Sequence, residues 1–138
     1  MDTSDRWREV VFCGFGESTY RLAEMSAVGL YLKAHHPELK QRLNTVGLGN
    51  LIWGRDITPE LALFLDKVAV SLNTADPAQW VKLMRPAPAY RETGFAASRQ
   101  FAEICGAAGI RTRVTAVELP EVDLLPLQRY AKKIRATF

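Results

Sequence analysis

The sequence predicts an α/β fold built on a parallel sheet, and three observations carry that expectation. Short β-rich apolar runs recur along the chain, segments with apolar residues every three or four positions lie between them, and the two kinds alternate as β-α-β-α-β-α-β-α-β. A strand, a helix and another strand close most simply as a right-handed crossover between parallel neighbours, so repeated alternation favours one parallel sheet.

Residues 9–13 (Glu-Val-Val-Phe-Cys) are the first apolar run; stopped by Gly14-Phe15-Gly16, it reads as a buried strand ending in a turn. From Thr19 to Ala34, Leu22, Met25, Gly29 and Leu32 recur at helical spacing, with Ser18 or Thr19 available as N-cap and Pro37 as terminator. Residues 41–45 read as the second strand. Residues 46–58 read as a long loop holding Gly47, Gly49 and Gly54, and a loop of that length is more often functional than idle. Thr58-Pro59-Glu60 opens a short helix through Leu65, with Thr58 as cap and Pro59 at the first helical position.

Residues 67–72 are the clearest strand: Val68, Val70 and Leu72 share one face, and Ala69, Ser71 and then Asn73 the other. A helix opened by Asp76-Pro77 carries Trp80, Leu83 and Met84, and a loop broken by Pro86 and Pro88 follows it. The next helix sets Phe101, Ile104, Cys105 and Ala108 on one stripe, with Gly109 as its stop. Residues 110–118 read as a fourth strand despite Arg111 and Arg113. A helix over 123–133 and a fifth strand over 134–138 come after it.

A length of 138 residues suits one domain, and 48% hydrophobic with 24% charged residues supports a packed core rather than a disordered or fibrous chain. Eighteen Lys and Arg against fifteen Asp and Glu leave +3, with one small cluster at Arg129, Lys132, Lys133 and Arg135, too little charge to indicate a nucleic-acid partner. No run approaches the roughly 18 to 20 apolar residues of a membrane helix, and the polar start Met1 to Arg6 lacks a signal-peptide core, so no membrane partner and a cytoplasmic location are expected. Cys13 and Cys105 encode neither a CxxC pair nor a disulfide framework, and each reads first as a small buried hydrophobe. His35 and His36 suit a helix end. Trp53 is the one aromatic placed in the glycine loop, where it would cover a ligand, and Arg55-Asp56 beside it reads as a loop clamp or a substrate contact.

In parallel βα folds ligands collect beyond the carboxyl ends of the strands. That rule selects Gly14 to Ser18, then Asn44-Thr45 with the glycine loop, then Ser71 to Asn73, then Arg113 to Glu118. Gly14 and Gly16 would let backbone approach a ligand, and Glu17 would accept from an ammonium group; a plain strand-to-helix turn with an acid at a helix N-terminus explains the same residues. Ser71 and Asn73 would cap the strand or, as polar groups on a buried strand, bind a partner. A Rossmann-like nucleotide binder fits poorly, because Thr19 stands where GxGxxG requires its third glycine and no GxxxxGK[ST] occurs.

Val10-Val11-Phe12-Cys13-Gly14-Phe15-Gly16-Glu17-Ser18-Thr19, Arg42-Leu43-Asn44-Thr45-Val46-Gly47-Leu48-Gly49-Asn50 and Val70-Ser71-Leu72-Asn73 together resemble the radical SAM superfamily, in particular the TatD-linked radical SAM proteins, from about residue 9 onward. The resemblance implies a partial TIM-like (β/α) barrel, with about five strands of a (β/α)6 core. It implies that Gly14, Gly16 and Glu17 stand for a GGEP-type segment holding the amino group of S-adenosylmethionine, with Asn44 at the next strand end and Ser71 and Asn73 at the ribose and carboxylate. The chain departs from the pattern at Phe15 and Ser18, and it lacks the CxxxCxxC loop that ligates a 4Fe-4S cluster. The expectation is therefore the cofactor-binding later part of a longer parent, inactive by itself. That parent would cleave S-adenosylmethionine reductively to a 5′-deoxyadenosyl radical and act on a small-molecule or unknown substrate. The alternative is a non-catalytic βα scaffold, and in either case an open sheet edge suits a homodimer.

Overall fold

The computed structural model describes residues 7–138, and in it four strands pair in the order in which they occur along the chain. Strands β1 (Glu9–Phe12), β2 (Lys40–Thr45), β3 (Lys67–Ser71) and β4 (Arg111–Thr115) form one all-parallel sheet. Six helices accompany them: α1 (Leu22–His35), α2 (Gly49–Trp53), α3 (Thr58–Leu61), α4 (Pro77–Met84), α5 (Gly94–Ala107) and α6 (Leu125–Lys133). This is an α/β fold of the partial βα-barrel kind. The strand order never reverses, whereas a doubly wound nucleotide fold binds at a reversal, so the Rossmann-like alternative has no switch point here.

Crossovers that all step the same way and share one hand place their helices on one face of the sheet. One apolar cluster bears this out: Leu22 and Met25 of α1, Leu61 of α3, Phe101 and Cys105 of α5 and Leu127 of α6 pack with Leu43, Val68, Val70 and Val114 of the strands. Phe12 meets Phe64 edge-on at 5.8 Å on the same side. A smaller cluster, Leu48, Trp80 and Phe95, joins the loop after β2 to α4 and α5. Tyr130 pins α6 to α5, its hydroxyl 3.0 Å from the Arg99 carbonyl and from Glu103, and burial pushes its phenol up to about 12. At the amino end of the sheet Asp66 accepts from the Gln41 amide at 2.9 Å and faces Lys33 and Lys40.

Several local expectations change. The first helix begins as a 3-10 turn over Ser18–Arg21, and its cap is Glu17 rather than Ser18 or Thr19, because the longer carboxylate reaches the Thr19 amide. The loop after β2 contains α2, closed by Gly54 in the left-handed region at φ 63°. Thr58 is the first residue of α3 and Ile57 its cap position, without a side-chain cap bond; Asp56 just before accepts from the Thr58 amide and hydroxyl, and the Thr58 hydroxyl bond is the chief reason its carboxyl lies below the ordinary value. Of the five expected strands the last shrinks to one bridge. The turn after α6 consumes Ile134 to Ala136, with Arg135 at φ 59°, so only Thr137 reaches β4, giving its amide to Thr112 and taking that of Val114. Cys105 is buried as expected, but Cys13 is exposed just beyond β1, which is an edge strand among the described residues. Among the described residues no helix is long and apolar enough to cross a membrane.

Two helical glycines give opposite expectations. A Cβ on Gly29 would stand 2.2 Å from the buried Phe64 ring, so the overpacking cost of about 1–3 kcal/mol outweighs the helix-propensity gain of about 1 kcal/mol, and Gly29→Ala lowers the urea midpoint. At Gly106 the nearest atom would be Thr112 Oγ1 at 3.7 Å, an ordinary contact, so Gly106→Ala raises the midpoint.

Candidate functional site

The carboxyl end of the sheet gathers the residues that the sequence singles out, but on two sides of it. Strand alternation puts Gln41, Leu43 and Thr45 toward the helices and Arg42 and Asn44 on the open face. Glu17 belongs to the helix side. Its Oε1 accepts from the Thr19 amide at 3.3 Å, the Thr19 hydroxyl at 2.7 Å and the Thr45 hydroxyl at 2.6 Å, and its Oε2 from the Val46 amide at 2.8 Å. Three donors saturate Oε1 and one meets Oε2, so the carboxylate is largely taken up within the chain. Thr45 in turn accepts from the Gly47 amide at 2.9 Å, and Trp53 donates to the Thr19 carbonyl at 2.7 Å. Trp53 thus braces the turn that Glu17 ties to β2. Arg55 and Asp56 also serve as a loop clamp, bonding Glu60 and, with Asn50, Thr58.

Gly14 and Gly16 lie before this clamp at φ 155° and 93°, conformations that suit glycine, and nothing crowds a Cβ at either. Phe15 between them is fully exposed, so the turn presents backbone rather than side-chain packing.

Asn44 and Ser71 occupy the other side, and Asn73 follows just beyond the end of β3. Asn44 stands opposite Ala69 in register and accepts from Arg42 at 2.8 Å. Ser71 stands opposite Thr115, their hydroxyls 3.2 Å apart. Asn73 sits in the left-handed region at φ 65°; its Oδ1 accepts from the Val117 amide at 3.0 Å, and its Nδ2 has the Met84 sulfur at 3.0 Å. A thioether is a weak acceptor. The Asn73 amide is therefore the rim donor best able to turn to a ligand oxygen.

Further toward the amino end the open face becomes basic. Arg42, Lys67 and Arg111 stand abreast on β2, β3 and β4, and Arg113 is next along β4. Glu9 of β1 meets Arg42 and Lys67 at 3.3 Å each. Burial opposes the charge on Glu9, yet the hydrogen bonds from Arg42 and Lys67 outweigh it and hold the carboxyl below its ordinary value. The sequence reading missed this cluster. Its signal was the alternation Arg111-Thr112-Arg113-Val114, which marks a strand with one basic face.

Three thiolates are required for a site-differentiated 4Fe-4S cluster. The chain has two cysteines, one exposed after β1 and one buried in α5, so its residues do not fit that group. Among the described residues no three His, Cys, Asp or Glu side chains converge as a metal site. The chain matches no protein-family model and no curated protein.

Thr45→Val leaves Glu17 short of a donor and the Gly47 amide unpaired, so a stability loss of about 1–3 kcal/mol is expected by chemical denaturation. Glu9 contributes in the opposite sense to a basic group: its carboxyl is lowered on folding, so its stabilisation is present above the ordinary carboxylate value and lost as pH falls through the folded value. The stability difference between the native chain and Glu9→Gln should accordingly be largest near neutrality and close below pH of about 4.

Proposed function

We propose that this chain binds S-adenosylmethionine at the carboxyl end of its parallel sheet, as the cofactor-binding part of a radical SAM enzyme whose cluster cysteines belong to another segment or chain. The observation that carries the reading is that Asn44 and Ser71 share the open face near the carboxyl end of the sheet, with Asn73 just beyond β3 and a glycine turn of exposed backbone beyond β1. Asn73 and Ser71 would meet the ribose and carboxylate oxygens, and carbonyls of the Gly14 to Gly16 turn the ammonium. Glu17 acts as a positioning residue, because its carboxylate is committed to Thr19, Thr45 and Val46. Bound there, the cofactor would supply the sulfonium of radical chemistry. This chain's own residues bind and orient it, and by themselves they are catalytically inactive.

A second reading is a βα scaffold that associates through β1. That strand pairs only with β2 among the described residues, and Trp7, Phe15, Val28 and Tyr31 are exposed on β1's flanks and on α1. An unpaired edge templates association.

Isothermal calorimetry with S-adenosylmethionine tests the first reading. The native chain should bind, and Asn73→Gly, which keeps the left-handed backbone and removes the amide, should bind about tenfold more weakly, the worth of one hydrogen bond of about 1.4 kcal/mol. No heat with the folded native chain overturns it. Sedimentation of the native chain beside Val28→Lys tests the second: a dimer that the lysine dissociates supports edge association, and a monomer at every concentration removes it.

A further inference from the structure

We propose that the basic part of the open sheet face is a binding site for a small-molecule oxyanion, a phosphate or carboxylate group, held by Lys67, Arg111 and Arg113. The register is the first ground. Arg42, Lys67 and Arg111 are Cα partners across three adjacent strands, so three cations stand in one row at the strand spacing of about 4.8 Å. Like charges directly opposite one another repel. Among the described residues one carboxylate, Glu9, answers: it touches Arg42 and Lys67, and none meets Arg111.

The next row repeats the imbalance. Asn44, Ala69 and Arg113 are partners in it, and Arg42 already donates to Asn44. Among the described residues neither Arg111 nor Arg113 has a carboxylate within 4.0 Å. Ala69, at the centre, adds no charge to the row.

The third ground is shape. Glu9, Arg42, Lys67, Val68, Arg111 and Arg113 border a cavity of about 330 Å³, with Thr137 also in its lining. That volume suits a small ligand or the charged end of one, at the lower end of the roughly 300–1,000 Å³ range of ligand sites. Arg111 and Arg113 on its border, with the Lys67 ammonium beside Glu9, supply donors for the several oxygens of one oxyanion. The site lies at the amino-end rows of the face, away from the Asn73 rim, and does not depend on a nucleotide cofactor there.

Thermal unfolding at constant ionic strength tests it, with pyrophosphate and malonate as separate probes and sodium chloride as the reference. The native chain should gain several degrees with one or both probes over chloride; the larger shift identifies phosphoryl or carboxyl recognition. Arg111→Gln with Arg113→Gln should lose at least tenfold in apparent affinity, and both side chains are exposed enough for the variant to fold. Arg129→Gln, on α6, should respond as the native chain does. No shift beyond chloride in the native chain, or an undiminished shift in the double variant, overturns the proposal. Calorimetry with S-adenosylmethionine on the same double variant keeps the two sites apart, since loss of anion binding with cofactor binding unchanged locates the oxyanion away from the rim.

Discussion

A parallel sheet wound in one direction covers only one of its faces, because every right-handed crossover returns on the same side. In this chain Leu43, Val68, Val70 and Val114 meet the helices, while Arg42, Asn44, Lys67, Ala69, Ser71, Arg111 and Arg113 are left on the other side, with no helix over them among the described residues. A sheet of this kind normally has both faces covered. Apart from Val11 and Ala69 the amino acids registered on the uncovered side are polar or charged, so the chain's strongest chemistry lies where its helix packing is least. The apolar face fixes the register, and the register in turn brings Arg42, Lys67 and Arg111 into a row.

Glu17 shows how a residue type alone misleads about a role. A glycine turn followed by an acid suggests an anionic group offered to a ligand, yet the carboxylate takes every bond from the chain itself and joins the turn after β1 to the end of β2. Its effect on any ligand passes through the shape of the Gly14 to Gly16 turn. Asn73 is the reverse case. It occupies a backbone conformation that asparagine tolerates, fastens Val117 with its oxygen, and keeps its nitrogen against a weak acceptor.

Most of the fold was legible because it rests on local signals. The alternation in Val68 to Leu72, the Asp76-Pro77 start of α4 and the Gly109 stop of α5 all stand where the sequence implies. That Ser71 faces away from Val68 and Val70 followed from strand periodicity. What escaped depends on distance along the chain. Glu9 finds Arg42 and Lys67 across two strand pairings, Glu17 finds Thr45 across a whole βα unit, and no local pattern encodes either. The fifth strand failed for a different reason: β-rich composition at residues 134–138 could not reveal that the turn after α6 would use up most of the segment.

The two thiols differ sharply in chemical availability. Cys105 lies in the core, where burial pushes its thiol up to about 12, while Cys13 stands exposed beyond the end of β1. An alkylating reagent requires the thiolate. In the native fold such a reagent marks the strand end alone, and a second equivalent is consumed only when α5 lifts from the sheet. Thiol counting therefore reports opening of the helical layer without any engineered probe.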